Sequence, residues 1–273
     1  MSAVILRRKW YGNPSVGKIV AMMKQPVSEV RNWCDEFPED TDLVIRWGTT
    51  SNAPCRKVVN TAAAIHTAYN KTEMRRMLQE GGLCPPTMFS KADTVAFWPL
   101  ITDKLLPVIV RPNHHEAGID FHRCWALEAA ITAWDAVGGD GYANVFIDIA
   151  VEYRVVIAQG RVLWVVLNDH ISDKWGYIRW SEWDLRAVDR ALVAFARTGL
   201  DFGAVDVMVD DTGEPWVTEV NTAPEVCYEY QPGLLAKAFD YMIDNGKKTL
   251  PSKPEATSWK QVIHPAVSEQ ADV

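Results

Sequence analysis

Residues 203–221, GAVDVMVDDTGEPWVTEVN, consist of two runs of alternating apolar and polar residues on either side of DDTGE. Alternation with a period of two marks a half-buried strand, and two such runs joined by a short turn mark a hairpin. A chain carrying this segment must build an antiparallel sheet with one apolar face. On the first strand Val205, Val207 and Val209 share a face and Asp206 points the other way; on the second, regular alternation puts Val217, Glu219 and Asn221 together. If Asp210 pairs with Pro215 across the turn, Asp206 falls opposite Glu219.

Two carboxylates directly opposed repel, so a positive charge is expected between them. Asp206, Glu219 and the amide of Asn221 form an oxygen-only donor set. Such a set suits Mg²⁺, which takes one or two carboxylates and completes its shell with water and substrate phosphates. Taken alone, the segment is equally compatible with a solvated hairpin whose polar residues face water.

Around this hairpin the chain alternates helical and strand patterns. Residues 1 to 67 read as a small α/β unit: a strand VIL, helical stretches at SVGKIVAMMK and VSEVRNWCDE, then an apolar run DLVIRW closed by Gly48. From Lys71 to Gln79, Met74, Met77 and Leu78 share a helical stripe that Gly81-Gly82 ends. KLLPVIVRP reads as a buried strand, NHHEAGID as a polar loop and ALEAAITAWDAV as a helix. NVFIDIA, EYRVVIAQG and RVLWVVLND then predict an antiparallel sheet with a turn at Gln159-Gly160. A helix is expected from Ser181, with Ser181 and Asp184 at capping-box spacing, and another near LLAKAFDYMI.

Three cations stand out. Arg111 ends PVIVRP just before the polar loop, a position suited to cradling phosphate, which a guanidinium binds bidentately. Lys71 opens its helix, and Arg154 interrupts the otherwise apolar strand EYRVV, where it needs an anionic partner if buried. His114, His115, His122 and Cys124 raise a zinc alternative, but their spacing matches no structural zinc pattern and no second pair flanks them. The chain has no P-loop, no G-x-G-x-x-G after a strand, no G-x-S-x-G elbow and no H-E-x-x-H.

Composition narrows the classes. With 28 Lys+Arg against 35 Asp+Glu the net charge is −7, which argues against a protein built to grip nucleic acid. No apolar run approaches the ~20 residues of a membrane span. The five cysteines are odd in number and form no C-x-x-C pair, which predicts reduced thiols and a cytoplasmic protein.

Read in order, AYNKTEMRRMLQEGGLCPPT, PVIVRP with its loop, VFIDIAVEYRVVIAQGRV and GLDFGAVDVMVDDTGEPWVTEVNTAP resemble the ATP-grasp superfamily, which includes D-alanine:D-alanine ligases, glutathione synthetases and glutamate-tail ligases. The match covers roughly residues 60 to 225. It implies an α/β (α+β) fold: a short N-terminal α/β lobe (1–67), a central subdomain (68–144), a C-terminal subdomain with the metal site (145–250) and a tail (251–273), the two α+β subdomains sandwiching ATP.

By that resemblance Asp206, Glu219 and Asn221 are metal ligands for two Mg²⁺ or Mn²⁺ ions that bridge the ATP phosphates. Lys71 and Arg111 match the two phosphate-holding cations, Arg154 a basic residue near the γ-phosphate or acyl phosphate, and Glu152 the ribose acceptor. Phe146 and Ile147 fall on the linker whose backbone reads adenine, and the loop 113–120, with His114, His115 and Gly118, matches the triphosphate lid. Two positions depart from the family: Gly118 is the only glycine left in the lid, and Glu225 stands where a glycine is usual after EVNTAP.

The implied activity is an ATP-dependent carboxylate–amine ligase that forms an amide or peptide bond through an acyl phosphate. The catalytic residues would be Lys71, Arg111 and Arg154, and the substrates small-molecule or peptide carboxylates and amines. The alternatives are an ATP-grasp kinase that stops at phosphoryl transfer, or an inactive nucleotide-binding or assembly protein.

Overall fold

The computed structural model describes residues 2–8, 13–32, 34–55, 57–113, 121–169, 174–226 and 228–245. Among them the strands form three sheets. The first is built by β1 (Ser2–Arg7), β2 (Val27–Arg31), β3 (Thr41–Trp47) and β4 (Lys57–Val59), with helix α1 (Asn13–Met22) crossing from β1 to β2. Its order is β2-β1-β3-β4 and every pair is parallel. The helix expected over VSEVRNWCDE is instead the edge strand β2. Val27 and Val30 are spaced as on a helix, but pairing with β1 supplies the backbone partners and β-branched residues accept the extended form.

Helices α2 (Ala62–Tyr69) and α3 (Lys71–Glu80) meet at Asn70. Asn70 caps the end of α2 with its backbone N–H, and its side chain accepts from Glu73 N, opening α3. This corner puts Lys71 at the first helical position. Gly82, at φ +62°, lets the chain turn away, with Leu83 N donating to Leu78 O at 2.9 Å.

The second sheet, β5-β8-β6-β7, consists of β5 (Thr87–Met88), β6 (Val108–Pro112), β7 (His122–Cys124) and β8 (Gly141–Val145), and is antiparallel throughout. Helices α4 (Lys91–Phe97) and α5 (Leu127–Ala136) accompany it, and Ala130, Ala133 and Trp134 of α5 share a core with Val108, Val110 and Ala143.

The third sheet holds β9 (Ile149–Ala158), β10 (Arg161–Asp169), β11 (Lys174–Tyr177), β12 (Phe202–Asp210) and β13 (Pro215–Asn221), in the order β11-β10-β9-β12-β13 and antiparallel. The β-rich stretches expected to form one sheet therefore divide: NVFIDIA breaks after Val145, where β8 joins the second sheet and β9 begins the third. Helix α6 (Leu185–Thr198) covers one face together with α2 and α3. It starts after Ser181: Asp184 is its N-cap, accepting from Arg186 and Ala187 N, and residues 180–182 form a short 3₁₀ turn.

The opposite face is divided. Toward one end it packs against the first sheet and α7 (Tyr230–Asn245) in a shared core containing Ile45, Trp47, Val156, Phe202, Ala204, Leu235 and Phe239. Trp47 stacks on Phe202 at 5.4 Å between centroids, and Phe239 meets both rings edge-on. Toward the other end the same face carries charge. Among the described residues no helix is long and apolar enough to cross a membrane.

The hairpin β12–β13 differs from regular alternation in one respect. Val209, not Asp210, pairs with Pro215, while Asp206 still pairs with Glu219, because Thr218 is an extra residue in β13. The bulge sends Val217 and Val220 into the core beside Val205 and Val207, and turns Glu219 and Asn221 to the face of Asp206. The expected sharing of a face by Val217 and Glu219 is thus corrected. Apolar residues three apart in an otherwise alternating strand were the sign of the bulge.

Asp210 closes the turn. Its carboxylate accepts from Thr212 N and Oγ1, Glu214 N and Trp216 Nε1 at 2.6–2.9 Å. Burial opposes its charge, but bonds from Thr212, Trp216 and Glu214 outweigh it and hold the carboxyl below its ordinary value. A depressed carboxylate stabilises the fold above its unfolded pKa, and that contribution is lost as pH falls through the folded value. Asp210→Ala is expected to cost about 2 kcal/mol near neutrality. In urea melts the gap between the two proteins should shrink between about pH 7 and about pH 3.

Candidate functional site

The charged half of the third sheet is organised as a row of directly paired residues. Val166 on β10 pairs with Arg154 on β9, Arg154 with Asp206 on β12, and Asp206 with Glu219 on β13. Residues paired across strands share a face, so one line of side chains carries a cation followed by two carboxylates. Arg154 meets Asp206 with a two-pronged fork, Nε to Oδ1 at 2.7 Å and Nη2 to Oδ2 at 2.9 Å. Asn221 Nδ2 donates to Asp206 Oδ2 at 3.1 Å. Lys71, delivered from the first turn of α3, forms an ion pair with Glu219.

Within the chain each of the two carboxylates is matched by a cation of its own, Asp206 by Arg154 and Glu219 by Lys71. Asp206 is only 4% exposed. Burial, the strongest influence, pushes its carboxyl above the usual range against the bonds and charge of Arg154. Burial also works against the charge on Arg154, but bonding to Asp206 and the fields of Asp206, Glu219 and Glu152 raise the guanidinium above its ordinary value. A raised carboxyl favours a proton and a raised guanidinium favours its charge, so the directions conflict; two short, parallel N–H···O contacts are the geometry of the ion pair.

One step along the strands, Glu152 pairs with Met208 and with Asn168, whose Nδ2 donates to Glu152 Oε2 at 2.9 Å. Both residues are buried. Asn168 holds one oxygen of Glu152, a contact that sequence reasoning missed. Arg111 lies on β6 of the second sheet, opposite Tyr142 on β8, with Phe121 stacked 5.4 Å from its guanidinium carbon. Burial lowers its pKa, the charge of Arg75 adds to that effect, and Tyr142 and Glu219 counter it. Asn113, just beyond β6, is tied to α3 by accepting from Thr72 N at 3.1 Å. Phe146 and Ile147 lie between β8 and β9, on the chain's passage from the second sheet to the third. Phe146 N donates to Pro107 O at 3.0 Å, and Arg123 stacks on the Phe146 ring. His114, His115 and Gly118 lie outside the described residues.

Lys71, Glu219, Asp206, Arg154 and Asn221 are therefore linked in one chain of contacts, Glu152 neighbours them on the same sheet face, and Arg111 belongs to the second sheet. The oxygen set fits Mg²⁺ by its chemistry. It provides two carboxylates and an amide carbonyl that takes no part in the bond to Asp206, with the remaining ligands left to phosphates and water. Among the described residues no cluster of three His, Cys, Asp or Glu side chains is placed to hold a metal. In the zinc alternative, Cys124 is buried in the core beside α5 and burial raises its thiol pKa, while His122 is exposed.

No family model matches the sequence, and no curated protein matches it in sequence. Solved structures do match in shape. A D-alanine–D-alanine ligase from Bacillus anthracis complexed with ATP is 18% identical, with a TM-score of 0.65 over 90% of this chain and 97% of that one. The ATP-grasp ligase PsnB, complexed with minimal precursor, Mg and ADP, is 12% identical with a TM-score of 0.65, covering 90% of this chain and 98% of that one. The D-cycloserine synthetase DcsG is 12% identical, also at 0.65, over 89% of this chain and 100% of that one.

The chain has the ATP-grasp fold. Within the ATP-grasp architecture the row through Arg154 can be tested for its own energetics. Arg154→Met strands the buried Asp206 carboxylate and should destabilise the protein by about 3 kcal/mol or more. Without its cation the carboxyl takes up a proton, so its folded pKa lies above the unfolded one. The variant's stability should then be greatest below about pH 4 and fall as pH rises toward the folded value, as chemical denaturation at several pH values would record. Replacing both partners, Arg154→Met with Asp206→Leu, should recover most of the loss.

Proposed function

We propose that this protein is an ATP-dependent carboxylate–amine ligase that forms an amide or peptide bond through an acyl phosphate. The observation that carries the proposal is the convergence of Lys71, Arg154, Asp206, Glu219 and Asn221 on one sheet face of an ATP-grasp fold, with Arg111 opposite. The neighbours in shape include a D-alanine–D-alanine ligase, a D-cycloserine synthetase and a ligase solved with a precursor. Their names support amide or peptide bond formation as the reaction class.

In this reading ATP lies between the second and third sheets. Asp206, Glu219 and Asn221 would hold magnesium, which when bound screens the negative charge of the phosphates. Phosphoryl transfer asks the protein for positioning and electrostatic stabilisation rather than for covalent chemistry. Lys71 and Arg111 orient the phosphates from opposite sides. Arg154, already clamped in orientation by Asp206, faces the transferring group and the acyl phosphate that follows. Glu152, with one oxygen held by Asn168, accepts from the ribose hydroxyls, and the linker at Phe146 and Ile147 borders the adenine.

The first step joins the substrate carboxylate oxygen to the γ-phosphorus and releases ADP. In the second, an amine attacks the acyl carbon, phosphate leaves, and the amine gives up a proton. The substrates are a small-molecule or peptide carboxylate and an amine. Mass spectrometry of cell extract supplied with ATP and the purified protein should show a new amide product with matching ADP and free phosphate. Asp206→Ala and Glu219→Ala should each lower its formation by about 10²-fold or more. Full activity in these variants would refute the metal assignment, and phosphoryl transfer without any need for an amine would identify a kinase instead.

A further inference from the structure

Lys71 and Arg75 are four residues apart on α3 and so lie on one stripe of the helix. Lys71 reaches Glu219, while Arg75 reaches the residue before it on the same strand, its Nη2 donating to Thr218 O at 2.9 Å. Arg75 is only 5% exposed. Its Nε and Nη1 are buried without a hydrogen-bond partner, and no carboxylate of a described residue forms an ion pair with it. Its guanidinium carbon lies 5.4 Å from the ring centre of Tyr142, a buried residue paired directly with Arg111. Arg111 in turn has a buried Nε without a partner.

The four cations around the site therefore fall into two classes. Lys71 and Arg154 are neutralised by Glu219 and Asp206. Arg75 and Arg111 both neighbour Tyr142 and form no ion pair with a described carboxylate, although the field of Glu219 reaches Arg111. A buried, uncompensated charge is unfavourable by itself, and a second one nearby makes it worse. Removing charge from such a place ordinarily stabilises a protein, so its retention points to a ligand.

We propose that Arg75 is a positioning residue of the phosphate site, presetting an excess of positive charge that a polyphosphate satisfies. Arg75 does not touch the nucleotide, since its Nε and Nη1 are sealed from solvent. It acts through Tyr142, whose ring it backs and which places Arg111, and through Thr218, the bulged residue that turns Glu219 toward the site. The helix carrying Lys71 thereby couples the phosphate-facing arginine of one sheet to the acidic strand of another. This inference rests on the ATP reading above.

The test is equilibrium binding of adenosine, AMP, MgADP and MgATP to the full chain, comparing wild type with Arg75→Met and Arg75→Lys. Arg75→Met should weaken MgATP roughly tenfold or more, MgADP less, and adenosine not at all. Arg75→Lys should retain most of the affinity. Unchanged MgATP binding, an equal loss for adenosine and MgATP, or a lysine variant no better than methionine would each overturn the role assigned to Arg75. If Arg75→Met does not fold, Arg75→Gln is judged by the same outcomes. A wild-type protein that binds no nucleotide would overturn the ligase reading itself, and this inference with it.

Discussion

The fork between Arg154 and Asp206 is the interaction on which the rest of the site depends. It joins the central strand of a five-stranded sheet to its neighbour β12 on their polar face, and both partners lose water to form it. Desolvation alone would disfavour each charge; the parallel N–H···O bonds offset it only while the partners stay in register. The neighbouring positions follow from that constraint. Asp206 orients Asn221, and Glu219, paired directly with Asp206, meets its own cation in Lys71 from α3.

The same sheet face shows why the charged row can persist. At one end Phe202, Ala204 and Val156 are covered by the first sheet and α7 around Trp47 and Phe239. This shared apolar core braces β9 and β12 from below and leaves the next positions along these strands to carry charge. The opposite face, packed by α2, α3 and α6, fixes the helix start at Asn70 from which Lys71 projects. The structure thus divides its labour along the strand rather than between faces: apolar residues set the register, and charged residues use it.

Much of this was legible in the sequence because it follows from short-range periodicity. The alternation in residues 203–221, the helical stripe after Lys71 and the buried strand ending at Arg111 each have local causes. The errors have a common origin in partners supplied from far along the chain. Val27 and Val30 read as helical until β1 gives them a sheet edge. NVFIDIA read as one strand, although its two halves pair with different sheets. Ser181 read as the start of α6, but Asp184 has the capping geometry. Regular alternation puts Val217 and Glu219 on one face, and a single extra residue at Thr218 separates them.

The sequence by itself determined which residue types these segments offer: an oxygen set in Asp206, Glu219 and Asn221, and cations at Lys71, Arg111 and Arg154. These are written in strand and helix periodicities that each segment carries alone. Only the tertiary structure decided how the charges are matched. Arg154 pairs with Asp206 and Lys71 with Glu219, whereas Arg75, unremarkable as one more cation on an amphipathic helix, is buried beside Tyr142 and Arg111 without a described counter-ion. Neutralisation depends on distances of a few ångströms between residues as many as 148 positions apart, and no local pattern encodes such distances.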